Sequence, residues 1–205
     1  MQRTRIYLVR HGQVEGYQQK RYNGQINVSL TKLGKEQSER ICACLADVAL
    51  DAVYSSDLDR SRYCARLIAE DHGLVVVADE ALREINFGDW EGRTWVELQE
   101  AYPDDWQKRL QDLTNYQVPG GESLQDAADR IRPVIRRILQ KHPNGDVALV
   151  AHGGVNRIIL LDAIGAALEQ AFSIEQDYVC LNIIDYLDGG HAVVRLLNGT
   201  AHLSP

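Results

Sequence analysis

Two stretches of nearly unbroken apolar residues, Ile6-Tyr7-Leu8-Val9 and Val147-Ala148-Leu149-Val150-Ala151, stand out from a chain whose other hydrophobic positions are mostly periodic. Short continuous apolar runs mark strands buried on both faces, as in a parallel sheet. Around them the spacing predicts helices over about 31–47, 56–71, 122–142 and 155–164, and further strands at Ala52–Ser55, Leu74–Ala78, Val179–Tyr186 and Ala192–Leu197. In the first helix Leu33, Gln37, Ile41, Cys44, Leu45 and Val48 supply the expected buried face. Ser56-Asp57-Leu58-Asp59 reads as the capping box of the second helix, and Pro133 is placed to kink the third. The last two strands form a hairpin turning at Asp188-Gly189-Gly190. Strands alternating with helices predict an α/β fold: a three-layer sandwich with a mostly parallel central sheet and helices on both faces.

Two segments interrupt this alternation. Gln13 to Leu30 reads as a long polar loop, and such loops inside compact domains are usually functional. Residues 91–121 read as a lid inserted before the long helix, with short helices near Trp95–Ala101 and Asp104–Leu113 and a close at Gly120-Gly121. There Tyr102, Trp106 and Tyr116 either line a pocket or pack on one another. The length of 205 residues suits one domain over 1–205. With 29 acidic against 22 basic residues the net charge is −7, which disfavours nucleic acid or an anionic membrane as partner. No apolar run is long enough to span a membrane, and Met1-Gln2-Arg3-Thr4-Arg5 lacks a signal-peptide cleavage pattern. A cytoplasmic protein is expected, with a homodimer left open. Cys42, Cys44, Cys64 and Cys180 form neither a CxxC pair nor a disulfide framework, and are expected to be reduced thiols in structural roles.

The two apolar runs end alike, in Arg10-His11-Gly12 and in His152-Gly153-Gly154. Ligands of open α/β sheets sit beyond the carboxyl ends of the strands, where these residues fall. Arg60 lies beyond the end of a third strand, and Glu84 lies in the aperiodic loop 82–92. Spacing alone does not choose Glu84 over Glu80, Glu91, Glu97 or Glu100. Two arginines, two histidines and a carboxylate suit phosphoryl transfer. Arginine grips phosphate oxygens in a bidentate fork, and the N-terminus of the helix after His152 adds backbone donors. A neutral histidine can serve as nucleophile through its free ring nitrogen.

Four segments in order resemble the histidine phosphatase superfamily, the phosphoglycerate-mutase-like enzymes: Leu8-Val9-Arg10-His11-Gly12, Ser55-Ser56-Asp57-Leu58-Asp59-Arg60-Ser61, Glu84 with Phe87-Gly88-Asp89-Trp90-Glu91-Gly92, and Ala151-His152-Gly153-Gly154. The resemblance implies a phosphohistidine at His11, Glu84 as the acid for the leaving oxygen, and Arg10, Arg60, His152 and Gly153 around the phosphoryl group. It implies no metal and no cofactor. The glycine-leucine-asparagine-lysine run and the proline-rich insertion of glycolytic mutases are missing. The chain is instead similar to the shorter phosphatases, including α-ribazole phosphatases. Hydrolysis of a small phosphomonoester is therefore the first expectation. The alternatives are a phosphoglycerate or sugar-phosphate mutase, a weakly active phosphate-binding regulatory protein, and a metallohydrolase using both histidines. The sequence departs from the family pattern at Gln13-Val14 and at Tyr17, where relatives often carry asparagine; Asn23 sits where relatives place a polar substrate-side residue and is expected to compensate.

Overall fold

A computed structural model describes residues 3–204; Met1 and Gln2 of the leading segment, and Pro205, lie outside the described residues. The strands β1 (Arg3–Arg10) and β4 (Asp146–Ala151) run parallel and adjacent, with Ile6 opposite Val147 and Arg10 opposite Ala151. The two apolar runs thus end at the same edge of the sheet. β2 (Ala52–Ser55) lies parallel on the far side of β4, and β3 (Val76–Ala78) lies parallel beyond it. β5 (Leu181–Leu187) pairs antiparallel with β1, and β6 (Ala192–Gly199) pairs antiparallel with β5, giving the order β3-β2-β4-β1-β5-β6. β5 alone runs against the rest.

Side chains alternate across a strand, so each central strand feeds two cores. Ile6, Leu8, Val147 and Leu149 pack on one side with α5 (Leu124–Lys141) and α6 (Gly153–Ile164), including Ile131, Ile138 and Ile158. Tyr7, Val9, Ala148 and Val150 pack on the other with α1 (Lys32–Leu45) and α2 (Asp59–Asp71), including Ile41, Leu45 and Ile68. Burial of each such aliphatic side chain stabilises the sandwich by about 1.5–3 kcal/mol. The α/β three-layer expectation holds.

Several local expectations need correction. In α1 the buried positions are Gly34, Ser38, Ile41 and Leu45, while Leu33 is half exposed and Cys44 lies on the outer face. The reason is Gly34: a Cβ there would lie 2.0 Å from the Gln13 carbonyl oxygen, and one on Gly12 would lie 2.2 Å from the Gly34 carbonyl oxygen. The helix is drawn onto the chain leaving β1, and its inner face turns accordingly. The Ser56 capping box does not form. Ser56 Oγ accepts from the Leu58 amide at 3.2 Å, and the cap residue of α2 is Leu58 with no side-chain bond. Capping boxes occur instead at Thr94 with Glu97 and at Ser123 with Asp126. α5, 18 residues in all, contains Pro133 without being ended by it. The strand expected over Leu74–Ala78 shortens to Val76–Ala78, and α6 begins two residues early, at Gly153. Among the described residues no helix is long and apolar enough to cross a membrane.

The inserted segment carries α3 (Trp95–Ala101) and α4 (Pro103–Gln111) over a third, aromatic cluster of Tyr22, Trp90, Leu98, Trp106 and Val118. Trp90 and Trp106 stack at 5.9 Å. Tyr102 packs against this cluster too.

On the opposite side of the sheet from β3, Asp185 is 1% exposed and accepts from Arg5 Nε at 2.6 Å and from Arg195 Nε at 2.8 Å. The Arg5 bond, opposing the cost of burial, lowers its pKa to about 2. A depressed carboxylate stabilises the fold above the unfolded value, and that contribution is lost as pH falls from about 4 towards 2. Asp185→Asn is expected to cost about 1–3 kcal/mol at neutral pH, since its partly exposed arginine partners can rehydrate. In a denaturant titration the deficit should shrink at pH 2.

Candidate active site

The chain leaving β1 delivers Arg10 and His11 to the carboxyl edge of the sheet, and β4 delivers His152 beside them. The two imidazoles meet edge to face with ring centroids 5.1 Å apart. His11 Nδ1 lies 2.8 Å from the Gly12 carbonyl oxygen. A carbonyl can only accept, so Nδ1 carries the hydrogen and Nε2 bears the free lone pair. Burial, reinforced by the nearby Arg60 and Arg10 charges, pushes the His11 pKa well below its ordinary range. The ring is neutral and its unprotonated nitrogen is Nε2. His152 is fully buried, and burial with the Arg60 charge pushes its pKa down as well.

Arg60 stands in the first turn of α2, 2% exposed, and donates to the carbonyls of Ile26 at 2.7 Å and Gly24 at 2.6 Å. Those carbonyls belong to the long loop after β1, which Glu91 holds: its Oε1 accepts from the Gln25 amide at 2.7 Å and the Phe87 amide at 3.2 Å. Glu91 is thus a structural carboxylate. Glu84 has a different setting. Its Oε1 accepts from the Ile85 amide at 3.0 Å and its Oε2 from the Gly154 amide at 3.1 Å, in the first turn of α6. Its main-chain carbonyl accepts from Arg130 Nη2 and Gln25 Nε2, both at 3.1 Å, and Arg130 is itself paired with Glu122. A Cβ on Gly154 would meet Glu84 Oε1 at 2.5 Å, so glycine admits the carboxylate to this place.

The sequence reading misses the turn before β5. Arg10 Nη1 donates to the Gln176 carbonyl, and its guanidinium carbon lies 4.0 Å from the centre of the Tyr178 ring. Tyr178 also stands 5.8 Å from the His11 ring. Val179, next in the chain, has φ +57°, a strained conformation for a β-branched residue. Its amide donates to the His11 carbonyl at 3.3 Å, and its carbonyl accepts from His202 Nε2 at 2.9 Å. These contacts hold the strain, and the turn aims Tyr178 at the site.

These groups bound a cavity of about 210 Å³. The structure brings Arg10, His11, Arg60, Glu84, Asn23 and Gly153 to its wall, whereas His152 is not a lining residue and meets the site through the His11 ring. Tyr116 lines it; Tyr102 and Trp106 do not, and Tyr17 lies outside it, 42% exposed. Arg21, Arg109, Arg157 and Tyr178 are lining residues absent from the sequence reading. Arg157 had a signal: it lies one helical turn beyond Gly153, so both share a face, and a Cβ at Gly153 would sit 3.2 Å from Arg157 Nη1. Buried and unpartnered among the described residues are Arg10 Nε, His152 Nδ1 and Asn156 Oδ1.

Comparison with known proteins matches residues 6–199 to the family model of the histidine phosphatase superfamily, branch 1. A bifunctional protein of Mycobacterium tuberculosis is 35% identical over 98% of this chain, but the chain spans only 55% of that protein's length. Phosphoserine phosphatase 1 of Hydrogenobacter thermophilus is 30% identical, with 98% of this chain and 94% of that one covered. The crystal structure of the α-ribazole phosphatase from Shigella flexneri superposes with a TM-score of 0.87 at 30% identity, covering 95% of this chain and 96% of the other.

The unfolded chain binds protons near pH 6.5 that buried His11 and His152 refuse, so stability falls as pH drops through 6.5. Each histidine is expected to contribute about 1.4 kcal/mol of lost stability one pH unit below that value. Calorimetry between pH 8 and 5.5 should show this slope, and His152→Asn should flatten it.

Proposed function

The chain belongs to the histidine phosphatase superfamily, and from that premise we propose that it hydrolyses a small phosphomonoester through a phosphohistidine on His11. The observation that carries this reading is the state of His11: neutral, buried, its Nδ1 committed to the Gly12 carbonyl and its Nε2 free beside two arginines. Phosphoryl transfer needs little else from a protein than position and charge stabilisation. Arg10 and Arg60 supply the charge, and the orphaned Arg10 Nε and His152 Nδ1 suit phosphoryl oxygens. Gly153, in the first turn of α6, and Asn23 complete the phosphate-side wall.

In the first step His11 Nε2 attacks phosphorus and the bond to the leaving oxygen breaks, while Glu84, starting as the carboxylic acid, gives that oxygen its proton and is left as the carboxylate. In the second, water attacks the phosphohistidine, Glu84 takes its proton, and the P–N bond breaks to release inorganic phosphate. Relatives named as phosphoserine and α-ribazole phosphatases act on small phosphorylated compounds, which supports this class of substrate. The reaction as written uses no cofactor and no metal. The acidic net charge and the absence of an apolar spanning helix among the described residues fit a cytoplasmic setting without nucleic-acid or membrane partners. The inserted segment 91–121 would act as the lid, and assembly as a homodimer is compatible with this reading.

Rapid quench with a radiolabelled phosphomonoester should trap an acid-labile phosphoenzyme that is absent in His11→Ala, whose kcat should fall by about three orders of magnitude or more. Undiminished turnover by His11→Ala would refute the mechanism. With 3-phosphoglycerate the product should be inorganic phosphate; an isomeric phosphoglycerate would identify a mutase.

A further inference from the structure

Three side-chain amides are buried together where the turn before β5 meets β5 and α6: Gln176, 2% exposed, and Asn156 and Asn182, both fully buried. None of them lines the cavity. Gln176 and Asn182 exchange a reciprocal pair of hydrogen bonds, Gln176 Nε2 to Asn182 Oδ1 and Asn182 Nδ2 to Gln176 Oε1, each at 2.9 Å. Gln176 Oε1 also accepts from Asn156 Nδ2 at 3.1 Å, and Gln176 Nε2 also donates to the Glu175 carbonyl at 2.8 Å. Asn182 carries the pair further. Its Nδ2 donates to the Leu8 carbonyl of β1 at 3.1 Å, and its Oδ1 accepts from the Asn198 amide of β6 at 2.8 Å. The Gln176 side chain is thus tied to β5 and α6 directly, and to β1 and β6 at one remove.

The main chain of the same residue meets the active site. The Gln176 carbonyl accepts from Arg10 Nη1, and Tyr178, two residues on, lies against the face of that guanidinium at 4.0 Å. One short turn therefore engages one end and one face of Arg10, while Arg10 Nε stays buried without a partner among the described residues. Arginine grips phosphate oxygens through N–H groups that share one plane, so whatever holds the rest of the group sets where its free donor points. Stability alone does not account for the buried amides. Apolar side chains of the same shape would fill this space without desolvating polar groups, and the network leaves Asn156 Oδ1 buried and unpaired. What hydrogen bonds add over apolar packing is direction, here the direction of the main-chain carbonyl at Gln176.

We propose that Gln176 is a positioning residue for phosphoryl transfer: paired with Asn182, its side chain fixes its own carbonyl against Arg10 Nη1 and so aims the unpartnered Nε of Arg10 at the phosphoryl oxygens. This rests on the phosphatase reading above and deepens it. Gln176 touches neither substrate nor reacting atoms; it acts through Arg10. Because Asn182 also holds the Leu8 carbonyl, two residues before Arg10, the amide pair sets both the strand that delivers the guanidinium and the acceptor that orients it.

A double-substitution cycle with Arg10 tests this. Gln176→Met keeps the length of the side chain and removes its amide, and kcat/KM for p-nitrophenyl phosphate should fall about tenfold or more, as when a catalytic group is misplaced. In an Arg10→Met background the same substitution should change kcat/KM by less than about twofold, because the group it positions is gone. Losses that multiply in the two backgrounds would mark a residue of structure only and overturn the proposal, as would native kcat/KM in a folded Gln176→Met. Should Gln176→Met not fold, the native chain decides. With its arginines labelled with nitrogen-15 and no phosphate present, Arg10, assigned by its absence in Arg10→Met, should give separate signals for its two Nη groups; one averaged signal overturns the proposal. Should the native chain hydrolyse no ester, the phosphatase reading falls instead. In that case, or where Arg10→Met turns over too slowly to measure, the same cycle on calorimetric dissociation constants for inorganic phosphate decides Gln176 by the same criteria, and a native chain that binds no phosphate overturns both readings.

Discussion

The 2.8 Å hydrogen bond from His11 Nδ1 to the carbonyl of the next residue decides what the site can do. It fixes the tautomer, and with it which ring nitrogen has a lone pair to offer. It can form because the backbone turns at Gly12 against the backbone of Gly34, an approach that any Cβ at either position would block. The sheet then supplies direction. β1 and β4 lie side by side in register, so His11 and His152 emerge one residue beyond Arg10 and Ala151, which face each other. Two runs of buried aliphatic residues, each feeding both cores, hold two imidazoles at ring contact.

Around this pair the protein keeps positive charge without neutralising it. Arg10 Nη1 and Arg60 donate to main-chain carbonyls, which accept hydrogen bonds but leave the net charge in place. The surrounding chain has a net charge of −7, so this concentration is local and built. The same charge and the same burial keep both histidines unprotonated, so the environment that would receive a phosphoryl dianion also keeps the attacking ring neutral. The carboxylate Glu84 is admitted only where Gly154 leaves room, and Arg130, paired with Glu122, holds its main chain from α5.

How much of this was legible in the sequence depends on how local its cause is. Buried parallel strands are apolar throughout, so β1 and β4 could be read from composition in short windows. The rule that ligands meet strand ends then pointed to Arg10, His11, Arg60 and His152, and the structure brings them together. Glu84 could not be separated from its neighbours by spacing, because what distinguishes it is a hydrogen bond to the Gly154 amide 70 residues away. Family resemblance selected it where local physics did not. Tyr178 was invisible for a similar reason: its aim depends on the left-handed Val179, braced from His11 and His202. Tyr17 breaks the family pattern along the chain, but in the fold it lies outside the cavity wall. The face of α1 and the cap of α2 were misread because glycine contacts and a competing Ser56 bond, rather than the local pattern, set them.

The chemistry of the whole site turns on His11 being a neutral ring with its hydrogen on Nδ1. Side-chain nitrogen NMR of selectively labelled protein measures this directly. His11 should keep the resonances of a neutral imidazole protonated at Nδ1 from pH 8 down past 6.5, and these signals should vanish in His11→Asn. An imidazolium at pH 7, or a neutral ring with its hydrogen on Nε2, would contradict it.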